Sequence, residues 1–213
     1  MSHPSIKIIH AEHQALAAML SSISLMLAEQ RRNGHVASAR DFEVLRAMLF
    51  YIDEFPERLH HPKESDLLFP LMRARTKDAD EALARLDRDH ANGESAILKL
   101  EHALLAWEML GSSRQPAFEA ALERYLDFYR AHMRLEEDVI LPLAEKVLTD
   151  DDWTKLDVAF AQHRDPLTGH APPAEYEALF KPFHFDELFA RIKVFLKRAE
   201  IVFEKINIAD LEI

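Results

Sequence analysis

The sequence predicts an all-α protein, an up-down-up-down four-helix bundle with additional C-terminal helices. Three observations carry this prediction. Apolar residues recur at helical spacing in four long runs. Short turn-forming stretches such as Asn33-Gly34 and Gly111-Ser112-Ser113 separate the runs. A His-x3-Glu pair sits in phase with the apolar seam of the second run, and another in that of the fourth. The bundle is expected over residues 1–148, and a helical extension over 149–213 that packs on the bundle or on a partner chain.

The first run is Ile9, His13, Leu16, Leu20, Ile23 and Leu27, an unbroken +4/+3 series with one histidine among core positions. Pro4 suits the first turn of its helix. The second helix is expected to begin at Asp41 and to bury Phe42, Leu45, Leu49 and Ile52. Pro56 and Pro62 each remove a backbone donor and are expected to kink or briefly break it. The rhythm resumes through His60, Glu64, Leu67 and Leu71, with Pro70 marking a further bend. The third run is Leu83, Leu86, His90, Gly93, Ile97, Leu100 and Leu104, where Gly93 leaves room beside His90 for a small ligand. The fourth is Leu122, Tyr125, Tyr129, His132, Glu136, Val139 and Leu143. Beyond it, Thr149 is placed to N-cap a short helix, 164–173 reads as a loop, and a last helix over about 184–206 carries the stripe Phe185, Leu188, Ile192, Phe195, Ala199, Val202 and Ile206. That stripe needs the bundle or a second chain as partner, so a homo-oligomer through the C-terminal helix is one expectation.

The chemistry lies in a duplicated stretch, HHPKESDLLFP from His60 to Pro70 and HMRLEEDVILP from His132 to Pro142. Histidine and glutamate four residues apart share a helix face. A carboxylate buried without partners costs several kcal/mol, so Glu64 and Glu136 at seam positions require a counter-charge. One in-phase His–Glu pair is ordinarily a core hydrogen-bonded network. Four histidines and two glutamates in phase on four helices point instead to a metal centre made of His13, His60, Glu64, His90, His132 and Glu136. Glu94, four residues after His90, is a candidate seventh ligand, and Glu137 an alternative to Glu136. His10 lies one turn before His13 and is either an outer partner or exposed; His10 and His61 are further, weaker candidates for metal ligands. His61, rotated about 100° from His60, is expected at the surface or behind the ligands. Tyr129, one turn from His132, is placed to steady a bound ligand. His3, His35, His102, His163, His170 and His184 have no comparable setting and read as surface or structural.

At these residues the chain resembles the haemerythrin-like, or HHE cation-binding, family, over about residues 5–148. The resemblance rests on the order His13, His60-x3-Glu64, His90, His132-x3-Glu136 and the trailing LFP and ILP segments. It implies a bundle holding two non-haem irons per chain, with both glutamates bridging; manganese and zinc are substitutes of similar ligand preference. The family's oxygen carrier has a second third-helix histidine where Glu94 stands here, and its last carboxylate at the place of Glu137. These departures weigh against simple oxygen carriage. A ferritin-like di-iron site needs Glu-x-x-His on two helices; Glu57-x-x-His60 supplies one, but residue 129 is tyrosine where the second glutamate should be.

Composition narrows the alternatives. A formal charge of −11 disfavours nucleic acid and anionic membrane as partners. The absence of cysteine excludes thiolate metal sites, disulfides and thiol nucleophiles. Without a signal-like N-terminus or an apolar run long enough to span a bilayer, a cytoplasmic location is the default expectation. Three functions stay open. One is a di-iron protein binding a small ligand such as O2 or NO, in sensing, stress defence or iron handling. Another is a di-iron oxidoreductase acting on peroxide, O2 or NO. The third is a helical interaction module without metal. Six protein ligands leave two irons short of full coordination, which favours an exogenous ligand.

Overall fold

A computed structural model describes residues 3–162 and 164–170, which contain five helices and no strand. Helix α1 is Pro4–Asn33, α2 spans 39–75, α3 is Asp80–Leu110, α4 spans 115–147 and α5 is Asp150–Ala161. The first four run alternately up and down; α2 packs on α1 and α3, and α4 on α3 and α1. The stripe expected over 185–206 lies outside the described residues.

Local chemistry accounts for the helix ends. Gly34 adopts φ 62°, and its neighbour's amide, His35 N–H, returns to Gln30 O at 3.1 Å, ending α1. Helix α2 starts two residues before the expected Asp41. Ser38 is the N-cap, and Asp41 is its capping-box partner, accepting Ser38 N–H at 2.8 Å. Thr149 caps α5 in the same way with Asp152, which also holds Arg75 at 2.8 Å.

The prolines do not break α2. The chain instead widens to π-helical turns at Asp53–His60 and Glu64–Leu68, and α4 does the same at Glu136–Ile140. In an α-helix each proline ring would meet the carbonyl four residues back, Asp66 for Pro70 and Asp138 for Pro142. The wider turn relieves that clash and adds a residue to the turn. The burial pattern moves accordingly. Leu67 and Leu71 were expected in the seam, but Leu68, Phe69 and Met72 are buried there. In α4, Val139 and Leu143 give way to Ile140, Leu141 and Ala144. The same one-residue shift follows both glutamates.

The buried apolar residues form two clusters. One contains Leu16, Leu20, Leu45, Leu49, Ile97, Leu104 and Phe118. The other contains Ile9, Leu68, Phe69, Leu83, Leu86, Ile140 and Leu141, together with Trp153, Leu156 and Phe160 of α5. Residues 149–161 therefore share a core with the bundle, and Ser5 of α1 is tied to Asp157 of α5 by hydrogen bonds of 2.8 and 2.7 Å. Each fully buried aliphatic or aromatic side chain contributes about 1.5–3 kcal/mol. Between the two clusters every bundle helix carries its polar residues, at 12–13, 57–65, 89–93 and 129–137.

Candidate metal centre

Glu64 and Glu136 stand where the π turns of α2 and α4 begin, and both are essentially inaccessible to water. Each carboxylate faces two groups of imidazoles. Glu64 Oε1 lies 3.3 Å from His60 Nε2, and its Oε2 lies 3.6 Å from His90 Nε2. Glu136 Oε2 lies 3.3 Å from His13 Nε2, while its Oε1 lies 3.3 Å from His132 Nε2 and 3.7 Å from His90 Nε2. The Nε2 atoms of His90 and His132 are 3.2 Å apart. The result is two donor sets, His13/His60/Glu64 and His90/His132/Glu64/Glu136, joined through the carboxylates. All four carboxylate oxygens and His60 Nε2 lack a hydrogen-bond partner.

The outer nitrogens show a second order, a ring around the bundle. Glu12 of α1 takes His60 of α2 at 2.7 Å, and Ser65 of α2 meets His90 of α3 at 2.7 Å. Asp89 of α3 faces His132 of α4 at 3.6 Å, and Glu137 of α4 takes His13 of α1 at 2.9 Å. The three hydrogen-bonded partners, Glu12, Ser65 and Glu137, fix the tautomer and aim Nε2 inward, while Asp89 stands at ion-pair distance only. Sequence reasoning missed Glu12, Ser65 and Asp89. A signal was present, because each is the chain neighbour of an inward residue: Glu12 of His13, Ser65 of Glu64 and Asp89 of His90.

The remaining candidates separate clearly. Glu94 is exposed on α3 and takes no part in the cluster. Glu137 is half-buried and backs His13, whereas the buried oxygens are those of Glu136. His10 is half-exposed with Nδ1 3.4 Å from Glu137. His61 is not at the surface: it is buried, and it groups with His90 and His132. The π turn ending at His60 and the short α segment after it bring it inward. Gly93 opens space for the Glu57 carboxylate, not for a ligand; a Cβ there would lie 2.5 Å from Glu57 Oε2. Tyr129 and Tyr125 both donate to Glu57 Oε1, the latter at 3.0 Å, so Tyr129 is engaged within the protein. His35, His102 and His170 are exposed, and His3 stacks on Trp153. His163 and His184 lie outside the described residues.

A sequence profile described as the Hemerythrin HHE cation binding domain matches residues 5–144. The chain belongs to that family. No curated protein and no solved structure matches it significantly. In this HHE domain the buried imidazoles and carboxylates interact strongly. Burial opposes charge on every group, yet Glu64 and Glu12 hold His60 well above the ordinary imidazole range. Against the same burial, Glu136 and Asp89 lift His132 to about 10. Burial likewise opposes the lowering of Glu136, which the facing His132 and His13 nevertheless push well below the carboxylate range. A bound metal would supply the positive charge that imidazole protons otherwise provide, and would displace those protons.

The donors fit a bound metal on chemical grounds. Nitrogen and oxygen ligands suit iron, manganese and zinc. Two donors bound to one ion at about 2.1 Å lie about 3 Å apart, close to the spacings here. Among the described residues, the four buried carboxylate oxygens face only imidazoles at ion-pair distance, and none has a hydrogen-bond partner. Beside the cluster is a cavity of about 10 Å³ lined by His13, His60, His61, Tyr129, His132 and Asp165, among others. That volume holds roughly one water-sized molecule. No helix among the described residues is long and apolar enough to cross a membrane.

Proposed function

We propose that the chain binds two metal ions, iron by preference, with Glu64 and Glu136 bridging them, and that a small ligand such as O2 or NO binds there. The carrying observation is that each buried carboxylate turns one oxygen toward each donor set and none of the four oxygens has a hydrogen-bond partner. Bound in this place, such a pair supplies Lewis acidity and one-electron redox capacity. The chain supplies aimed imidazoles, two carboxylates placed to bridge, and a small cavity beside them. Sensing, stress defence and iron handling are the roles this reading leaves open.

The test combines elemental analysis with optical spectroscopy. Freshly purified protein is expected to carry about two irons per chain, and azide or nitric oxide to perturb their absorption bands. Unchanged bands at saturating azide in both oxidation states would remove the ligand-binding reading and leave a storage or structural centre. Steady turnover of peroxide by the iron-loaded protein would favour an oxidoreductase instead.

A further inference from the structure

His61 is a buried imidazole that the two-metal arrangement leaves without a role. Its ring stacks on His90 with centroids 4.2 Å apart and meets His132 edge-on at 5.3 Å. One of its nitrogens lies within 4.8 Å of a donor nitrogen on each of those histidines. Its Nδ1 faces Glu57 Oε2 at 3.1 Å. An acceptor at Nδ1 keeps the proton there and leaves Nε2 with a bare lone pair.

Glu57 is itself held with four contributions from three helices. Tyr125 and Tyr129 of α4 donate to its Oε1, His61 of α2 meets its Oε2, and Gly93 of α3 yields the space a Cβ would fill. A fully partnered buried network of this kind is rigid, and through the 3.1 Å contact it holds the His61 ring in place.

We propose that His61 is the third imidazole ligand at the His90/His132 position, and that Glu57 is its positioning residue. The centre is then asymmetric, with two imidazoles at His13/His60 and three at His90/His132. This inference rests on the two-metal reading. The third donor comes from α2, one residue after His60, rather than from Glu94 one turn along α3, because Glu94 points into solvent. Metal entry requires the parallel His61–His90 stack to open by a tilt of one ring. A competing account makes His61 a space-filling ring between His90 and Tyr129, and phenylalanine would then serve as well.

The experiment is equilibrium dialysis of the full chain against graded Co2+, read by elemental analysis and by the visible cobalt spectrum. Wild type is expected to take two ions. His61→Phe keeps a ring but lacks the donor, and should weaken one of the two ions on the order of a hundredfold and alter the spectrum, leaving the other ion in place. Gly93→Ala displaces Glu57 without touching a donor, and should weaken the same ion by about tenfold. His61→Ala leaves a ring-sized space in which added free imidazole should restore the tighter binding. Wild-type affinity and spectrum in His61→Phe, or no response to imidazole in His61→Ala, would overturn the proposal while the two-metal reading stands. A wild-type chain that takes up neither cobalt nor iron would overturn both.

Discussion

The two His-x3-Glu repeats share spacing, a following proline and a π turn, yet their surroundings differ. His60 rests on Glu12, a buried carboxylate 2.7 Å away, in a wall that also contains Asp165 of the loop after α5. His132 faces the half-buried Asp89 at 3.6 Å, and its Nδ1 has no hydrogen-bond partner. The first repeat contains His61 and is preceded by Glu57; the second has Met133 beside its histidine and Tyr129 where a second Glu57 would stand. The inward His and Glu donors are therefore alike in the two repeats, and the outer partners differ. Inward donors answer to one shared requirement, neutralising two buried carboxylates. Outer partners answer to whatever the neighbouring helix offers.

The largest effect is expected from removing one histidine of each repeat. His60→Ala/His132→Ala should lose most metal and lower the melting temperature, since Glu64 and Glu136 are then buried without a cation. Metal at about a thousandfold over its dissociation constant stabilises by about 4 kcal/mol, so chelation of wild type should produce a comparable drop. Full metal content in the double variant would end the assignment of these donors.

Next in size is a contrast between the two outer carboxylates. Glu12→Ala removes a 2.7 Å partner of His60 and should weaken metal binding about ten- to a hundredfold. Asp89→Ala removes a partner at 3.6 Å and should cost only a few-fold. Equal effects in parallel metal titrations would show that the repeats are more alike than their geometry says.

The smallest expected effect concerns pH and the loop that only the first repeat has beside it. Burial pushes the Asp165 carboxyl up to about 6, although Tyr51 O–H and Leu167 N–H both bond to it and oppose the rise. The folded chain therefore holds this proton more tightly than the unfolded chain does. Its contribution is fully present below the unfolded value near 3.8, and is lost as pH rises toward about 6. The loss is on the order of 2–3 kcal/mol. Urea unfolding of metal-free protein at pH 5 and 7.5 should show part of this decline in wild type and less of it in Asp165→Asn. An identical pH dependence in both would place the titration elsewhere.

Local periodicity was enough to read four bundle helices and to single out the six residues His13, His60, Glu64, His90, His132 and Glu136, which lie close together in the structure, and the N-cap Thr149 marked the helix after them. A core seam is written into one helix at a time, and a charged residue inside it is visible without knowing the partner helix. The same periodicity misled past each glutamate, because a π turn inserts a residue that no apolar count reveals. That shift is why Leu68 and Ile140 are buried and Leu67 and Val139 are not. The ring from Glu12 to His60, Ser65 to His90, Asp89 to His132 and Glu137 to His13 needed the tertiary structure, since each link joins two helices. So did the inward turn of His61, the exposure of Glu94 and the filling of the space at Gly93 by Glu57. Which polar neighbour meets which imidazole depends on the relative rotation and height of packed helices, and side-chain spacing along one helix carries no information about either.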